Sequence, residues 1–142
     1  MAGYSGTPLP QKLGIKPGAR LALVRAPEGF ERELGPLPEG VRVRTQARGA
    51  QDVVLFFATR RAELERRFDG LARAVAPAGG LWIAWPKQTG CVATDLREGI
   101  VRDLGLAHGL VDNKVCAVDD TWSGLRFVYR LDDRPPRNGK SR

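Results

Sequence analysis

Two apolar segments separated by one amphipathic helix constrain the fold of this chain more than any other feature. Apart from Asp52, the segments DVVLFFA (52–58) and LWIAWP (81–86) are apolar throughout, which is typical of strands covered on both faces. Between them, apolar side chains recur at the spacing of a helix. They are Leu64, Phe68, Leu71 and Val75. A strand, a helix and a second buried strand in this order predict a parallel β–α–β unit with a right-handed crossover.

The remaining segments continue the alternation of strands and helices. Further strands are predicted at 19–26, 40–46, 114–119 and 125–131, and further helices at 27–34 and 93–106. In 40–46 valine alternates with arginine, which predicts an edge strand with one wet face. Residues 120–124 indicate a hairpin loop between the last two strands. This order predicts an α/β, Rossmann-like, mostly parallel sheet of about six strands, with a C-terminal antiparallel hairpin and helices on both faces.

Local signals refine the ends of these elements. The APAGG segment (76–80) and the Asp112-Asn113 pair are predicted to be turns. Pro27 is expected in the first turn of its helix, and Thr94 is expected to be the N-cap of a later one. Opposite charges four residues apart predict two ion pairs on the long central helix. The pairs are Glu63–Arg67 and Asp69–Arg73.

Length and composition favour one soluble domain. The chain has 142 residues, of which 42% are hydrophobic and 27% charged, enough for a single core. We expect one domain over 1–131 and a disordered basic tail over 132–142, which is rich in proline and charge. No segment approaches a membrane span or the apolar core of a signal peptide, so a cytoplasmic location without a membrane partner is expected.

The residues that most often carry metal or nucleophilic chemistry are scarce. Cys91 and Cys116 are isolated, and His108 is the only histidine, so no metal site is expected. Cys116 lies in an apolar run and is expected to be a small core residue. His108 follows an apolar helix and is expected at a helix end or on the surface. Common catalytic signatures, such as G-x-S-x-G and H-E-x-x-H, do not occur.

The net charge of +7 raises the question of a nucleic-acid partner. The last ten residues carry four basic side chains against Asp133, so about half of the excess charge lies in the tail. The tail is either simply solvated or in contact with phosphates. Together with Arg42, Arg44 and Arg48, it supports weak, salt-dependent nucleic-acid binding without sequence preference.

From about residue 13 to 131 the chain resembles a class I methyltransferase domain. The similarity lies in LGIKPGARLALV (13–24), which looks like the approach to that family's first strand, and in the later strand, helix and APAGG turn. A closer resemblance is to domain-of-unknown-function family 3052, through LGIKPGARLALVRAPEGF, APAGGLWIAWPK and DNKVCAVDDTWSGLR. These resemblances imply a fold and no activity, because fold is a poor guide to function.

The resemblance to methyltransferases fails at the two places where that family holds its cofactor. Glycines after the first strand let the backbone approach S-adenosylmethionine, but the matching stretch here is RAPEGF (25–30), in which only Gly29 remains. The family also places an acidic residue at the end of its second strand, whereas RTQAR (44–48) has no carboxylate. The sequence therefore predicts that this chain binds no cofactor.

Ligands of open α/β sheets bind beyond the carboxyl ends of the strands, where the strand order reverses. The loops expected at that edge bring charged and aromatic residues together. The candidate ligand- or partner-binding residues are Arg25, Glu28, Phe30, Thr59, Arg60, Trp85, Lys87, Asp119, Asp120 and Trp122. The two tryptophans could sandwich a planar group, and Arg60 and Lys87 could meet an anion with help from the helix start near Thr59. Alternatively, Trp85 and Trp122 belong to the core and Lys87 pairs with a neighbouring aspartate.

Three functions remain open at this stage. The leading hypothesis is a non-catalytic binding or regulatory module, with an unknown protein partner or a small anionic ligand. The second is a transferase-like enzyme that holds a nucleotide-like or anionic ligand in another pose, with Lys87 as electrostatic stabiliser and Asp119 or Asp120 as base. The third is weak nucleic-acid binding through the basic surface and tail. A collapsed edge with Phe30 in the cofactor position would overturn the enzyme hypothesis.

Overall fold

A computed structural model describes residues 7–130, in which the chain alternates between helices and strands. The elements are α1 (Leu9–Lys12), β1 (Arg20–Val24), α2 (Phe30–Leu34), β2 (Arg42–Arg44), β3 (Gln51–Phe57), α3 (Arg61–Arg73), β4 (Val75–Pro86), α4 (Glu98–Ala107), β5 (Leu110–Ala117) and β6 (Trp122–Tyr129). The tail predicted to be disordered, 132–142, lies outside the described residues.

The six strands form one mixed sheet in the order β2-β1-β3-β4-β6-β5. Strands β2, β1, β3 and β4 are parallel to one another, and β6 is antiparallel to both β4 and β5. This arrangement confirms the predicted α/β class, with a mostly parallel sheet and a C-terminal hairpin. The short hairpin between β5 and β6 allows the reversal, whereas the parallel pairs need longer connections.

Helices cover both faces of the sheet and divide the core in two. On one face, α3 and α4 pack their apolar side chains against alternate residues of the central strands, among them Val54 and Ile83. On the other face, α1, α2 and the loop before β1 cover a second cluster that contains Leu55 and Trp82. Trp82 is fully buried there, and its Nε1 donates a hydrogen bond to the carbonyl oxygen of Leu13, 3.0 Å away. Strands β3 and β4 are therefore covered on both faces, as their continuous apolar runs predict.

The APAGG segment belongs to β4 and is not a separate turn. Strand β4 begins at Val75, which pairs with Gln51, and the pairing with β3 is irregular before it resumes at Gly80. A Cβ at Gly79 would lie 2.6 Å from the carbonyl oxygen of Asp52, so glycine allows the two backbones to approach. The Gly-Pro composition that predicts a turn here instead permits a close strand contact.

The two edge strands also differ from expectation. All three residues of β2 are exposed, and Val43 is 46% exposed. Both faces of this strand are therefore accessible to solvent, whereas one accessible face was predicted. Asp112 and Asn113 lie inside β5, where the pairing with β6 shifts register by one residue. The extra residue is accommodated as an irregularity of an edge strand rather than as a turn.

Three further predictions, on two helix ends and on the ion pairs of α3, were wrong. Helix α2 begins at Phe30 after Gly29, so Pro27 lies before the helix and not in its first turn. The N-cap of α4 is Arg97 and not Thr94. Glu63 and Asp69 do not pair with the arginines four residues on, because their partners come from distant parts of the chain. Glu63 pairs with Arg25, and Asp69 pairs with His108 at the end of α4.

Candidate functional site

The carboxyl ends of β1 and β3 form the point where the strand order reverses. From β1 the chain moves to β2 on one side, and from β3 it moves to β4 on the other. The helices that follow β1 and β3 lie on opposite faces, since α2 packs in one core cluster and α3 in the other. A crevice between two loops that diverge in this way is the usual ligand position of an open α/β sheet.

The side chain of Arg25 connects the loop after β1 to helix α3 on the opposite face. Arg25 directly follows β1 and has φ 61°, a left-handed conformation that non-glycine residues rarely adopt. Its Nη1 forms an ion pair with Oε2 of Glu63 in the first turn of α3. The side chain of Glu63 is only 15% exposed, so the contact is partly shielded from solvent. The pair therefore bridges the two loops at the mouth of the crevice.

Aromatic side chains fill the space beneath the loop on the α2 face. Phe30 begins α2, is 2% exposed and packs edge-on against Phe57 at the end of β3, with ring centroids 4.9 Å apart. Phe57 in turn packs edge-on against Trp122, at 5.0 Å. Such perpendicular contacts add to the free energy gained by burial. We call these three residues the aromatic cluster; it joins the start of α2, the end of β3 and the start of β6.

Backbone and side-chain hydrogen bonds already occupy the polar groups of the neighbouring loops. Oδ1 of Asp119 accepts hydrogen bonds from the backbone N–H groups of Thr121 and Trp122, both at 2.8 Å. The N–H of Lys87 donates to the carbonyl oxygen of Thr121 at 2.8 Å, which joins the end of β4 to the β5–β6 hairpin. At the start of α3, the N–H of Arg61 donates to Oδ1 of Asp95 at 2.8 Å. One amide that could receive an anion is thus held by a carboxylate of the same chain.

Thr59 and Thr94 connect the loop after β3 to the segment before α4. The hydroxyl of Thr94 donates to the carbonyl oxygen of Thr59 at 2.7 Å and accepts the N–H of Leu96 at 3.0 Å. Thr94 therefore orders the approach to α4 although it is not the cap. The bond also restrains the loop that carries Arg60.

The residues predicted for the site divide into a buried and an exposed group. Those in the core are Phe30, Trp85, Asp119 and Trp122, those half-buried are Thr59 and Lys87, and those exposed are Arg25, Glu28, Arg60 and Asp120. The two tryptophans lie on opposite faces, Trp85 with the α3 and α4 cluster and Trp122 with the α2 cluster. They therefore cannot enclose one planar group between them. Within the described residues no ion pair joins Lys87 to Asp119 or Asp120.

Sequence reasoning did not identify two residues that define this edge. Phe57 was placed in a buried strand, but its position at the end of that strand, between Phe30 and Trp122, depends on the pairing of distant segments. Glu63 has an arginine four residues on, which is the stronger local signal. Its actual partner, Arg25, is 38 residues away, and the only hint in the sequence is that Arg25 lies near the end of one predicted strand and Glu63 lies in the helix predicted after another.

Neither the thiols nor the clefts point to chemistry at this edge. Burial raises the pKa of the Cys116 thiol, and the charge of Lys12 opposes the shift more weakly. Cys116 is half-buried against the core cluster of the α2 face, not inside the core as predicted. No cluster of three metal-ligating side chains exists among residues 7–130. A cleft of about 550 Å³ lies between α1 and α2 and is lined also by Val118, but not by any residue of the loop after β1. No helix in the same part of the chain could cross a membrane.

The conformation of Arg25 can be tested with two substitutions that both remove its ion pair. Glycine adopts positive φ freely, whereas alanine is strained there, so Arg25→Gly is expected to be about 1 kcal/mol more stable than Arg25→Ala. Urea unfolding of both variants measures the difference. Equal stability would show that residue 25 does not hold a left-handed conformation in solution.

Comparisons with known proteins identify the fold. No protein-family model and no curated protein sequence matches the chain, so its resemblance to family 3052 receives no support from them. Solved structures do match. A SAM-dependent methyltransferase from Aquifex aeolicus aligns over 82% of this chain and 85% of its own, with 14% identity and a TM-score of 0.61. A TehB-like SAM-dependent methyltransferase from Corynebacterium glutamicum aligns over 91% of both chains, with 11% identity and a TM-score of 0.56.

A third match is the complex of DhpI with SAH. It aligns over 87% of this chain and 83% of its own, with 14% identity and a TM-score of 0.60. At such low identity these likenesses establish architecture and not activity. The chain has the Rossmann-like fold of SAM-dependent methyltransferases.

Proposed function

We propose that this chain is a non-catalytic binding or regulatory module on a methyltransferase-like fold, with the cofactor crevice closed by its own side chains. The observation that carries the proposal is the position of Phe30, which is 2% exposed and packs on Phe57 at the point of strand-order reversal. The Arg25–Glu63 ion pair bridges the loops above it. A ligand bound in this crevice would have to displace both contacts.

Two features of the loops also argue against binding of an adenosyl ligand in the crevice. Pro27 has no N–H to donate, and Glu28 adds a negative charge to a loop that would otherwise offer amide donors. After β2, residues 44–48 contain two arginines and no carboxylate that could accept hydrogen bonds from a ribose. An adenosyl ligand would therefore lack both the amide donors of the first loop and the carboxylate that usually accepts hydrogen bonds from its ribose.

Partner recognition is assigned to the exposed side chains of this edge. Glu28, Arg60 and Asp120 are exposed and Lys87 is half-buried, whereas Trp85 and Trp122 serve the core. The enzyme alternative has less support, because Oδ1 of Asp119 is occupied by two backbone amides of the hairpin. Membership of family 3052 remains part of the proposal and rests on the sequence resemblance alone.

The proposal is tested by titrating the protein with S-adenosylmethionine and S-adenosylhomocysteine up to about 1 mM, by calorimetry and by thermal unfolding. We expect no heat of binding and no shift in melting temperature, because side chains fill the crevice. Binding would be detected, since a ligand present at 100 times its Kd stabilises a fold by about 2.7 kcal/mol. A methyltransferase-fold enzyme known to bind the cofactor serves as the positive control. A shift of several degrees with either compound would overturn the proposal.

A further inference from the structure

Four arginines converge on one cleft beside the edge strand β2. The cleft has a volume of about 360 Å³ and is lined by Arg20, Arg42, Arg44, Arg48 and residues 49–51. It lies at the β2 edge of the sheet and shares no lining residue with the loops after β1 and β3, whose contacts carry the proposed function, although Arg44 and Arg48 also belong to the segment after β2. The following inference therefore goes beyond the proposed function and does not depend on it.

The sheet register places these arginines together. Arg20 of β1 pairs with Arg42 of β2, and Ala22 pairs with Arg44. Side chains at paired positions, and at positions two apart along a strand, share one face. Arg20, Arg42 and Arg44 therefore stand on the same face, and the loop that carries Arg48 packs on that face through Ala47.

These guanidinium groups have no carboxylate partners within the described part of the chain. The five ion pairs found there involve none of the four. Of the four guanidinium groups, only that of Arg20 makes a hydrogen bond in this part of the chain, from Nη1 to the carbonyl oxygen of Ala50 at 3.3 Å. The backbone N–H of Arg20 also donates to Oδ2 of Asp52 at 2.9 Å. Four like charges around one concave surface repel one another, and a multivalent anion would remove that repulsion.

A buried carboxamide in the same cleft points independently to a ligand. Gln51 lines the cleft and is 2% exposed. Its Nε2 donates to the carbonyl oxygen of Arg48, whereas its Oε1 is buried without any hydrogen-bond partner. An unsatisfied buried acceptor is costly, and a hydroxyl of a bound molecule that reached it would satisfy it.

We propose that this cleft binds a small molecule carrying a di- or triphosphate group. Guanidinium groups form paired hydrogen bonds with phosphate oxygens, and several of them match the charge of adjacent phosphates. The volume falls in the range of small-molecule sites. No aromatic residue lines the cleft, so it offers no stacking surface for the bases of a single-stranded nucleic acid. The compact arrangement thus favours a small polyphosphate over a nucleic-acid strand.

The probes for the test are UDP, inorganic diphosphate and a single-stranded oligonucleotide, each titrated by calorimetry at low and at physiological salt. We expect saturable binding of UDP or of diphosphate, and the tighter of the two identifies an ester or the free anion as the ligand source. UDP is preferred to ADP because an adenosine could also enter a methyltransferase-like crevice. Absence of saturable binding by both, or binding of the oligonucleotide alone, would overturn the proposal.

A pair of double variants with equal loss of charge locates the site. Arg42→Gln with Arg44→Gln is expected to weaken binding of the preferred probe about 100-fold, roughly tenfold for each lost guanidinium. The control is Arg66→Gln with Arg130→Gln, two exposed arginines outside the cleft, for which a change within about twofold is expected. An equal loss in both would show binding to general positive charge and would overturn the assignment. Titration of the same variants with S-adenosylmethionine tests the proposed function separately. Binding of that compound would overturn the proposed closed crevice without bearing on the arginine cleft.

Discussion

Gly105→Ala is expected to destabilise the fold by about 3 kcal/mol, although it adds a single methyl group to a helix. Gly105 is buried in α4 where the helix crosses β6. A Cβ at this position would lie 2.5 Å from both Cδ1 and Cζ of Phe127. Phe127 cannot retreat easily, because it is fully buried and packs edge-on against Phe68 with ring centroids 5.6 Å apart. The helix or the strand would have to move.

The matched control is Gly99→Ala in the first turn of the same helix. Nothing lies within 4 Å of a Cβ at Gly99, so the added methyl meets no neighbour. Alanine is favoured over glycine inside a helix by up to about 1 kcal/mol, and this variant is therefore expected to stabilise the protein. Urea unfolding, analysed with the same m-value for all proteins, should show changes in the free energy of unfolding that have opposite signs for the two substitutions. Stabilisation by both would mean that α4 does not approach β6 as closely as the structure indicates.

The fold could be predicted from the sequence wherever the local pattern and the tertiary environment agree. Strand β3 lies where its continuous apolar run predicts, and helix α3 lies where its apolar spacing predicts. The exception is Val75, the last residue of that helical pattern, which begins β4. The failures occur where the two conflict. The APAGG segment has the composition of a turn, but pairing with Gln51 and Val53 of β3 begins at Val75 and holds it in a strand. Such pairing is not contained in the local sequence.

The candidate site was predictable to the level of the sheet edge and no further. Four parallel strands and a hairpin determine which loops meet, and this much follows from the order of elements. The direction of each side chain depends on register, since a shift of one residue moves a side chain to the other face. Trp85 is opposite Ser123 and Trp122 is opposite Pro86, so the two indoles point apart. Only the paired structure shows that a shared ligand between them is excluded.

Phe57→Ala is expected to lower the free energy of unfolding by about 3–5 kcal/mol, the largest effect among the substitutions considered. Phe57 is the middle member of the aromatic cluster and contacts Phe30 and Trp122 at once. Its removal takes away the apolar surface that both neighbours bury, and it leaves a cavity beneath the loop after β1. Phe57→Leu, which keeps most of the volume, is expected to cost no more than about 1.5 kcal/mol.

An exposed strand residue provides the reference for this series. Val43 is 46% exposed on β2, and Val43→Ala is expected to change stability by less than about 0.5 kcal/mol. Urea unfolding monitored by tryptophan fluorescence measures all three variants. If Phe57→Ala cost no more than Val43→Ala, the aromatic cluster would not be packed in solution, and the crevice that it fills would be open.

A ligand can show whether the cavity in Phe57→Ala persists or collapses. An apolar cavity lined by aromatic side chains remains dry and binds small aromatic molecules. Benzene is therefore expected to raise the melting temperature of Phe57→Ala and to leave the wild-type protein unchanged, because in the wild type the same space is occupied by the Phe57 ring. Stabilisation of both proteins would place the benzene site elsewhere. Stabilisation of the variant alone would mean that the Phe57 ring fills the space at the point of strand-order reversal in the wild-type protein, as the proposed closed crevice requires.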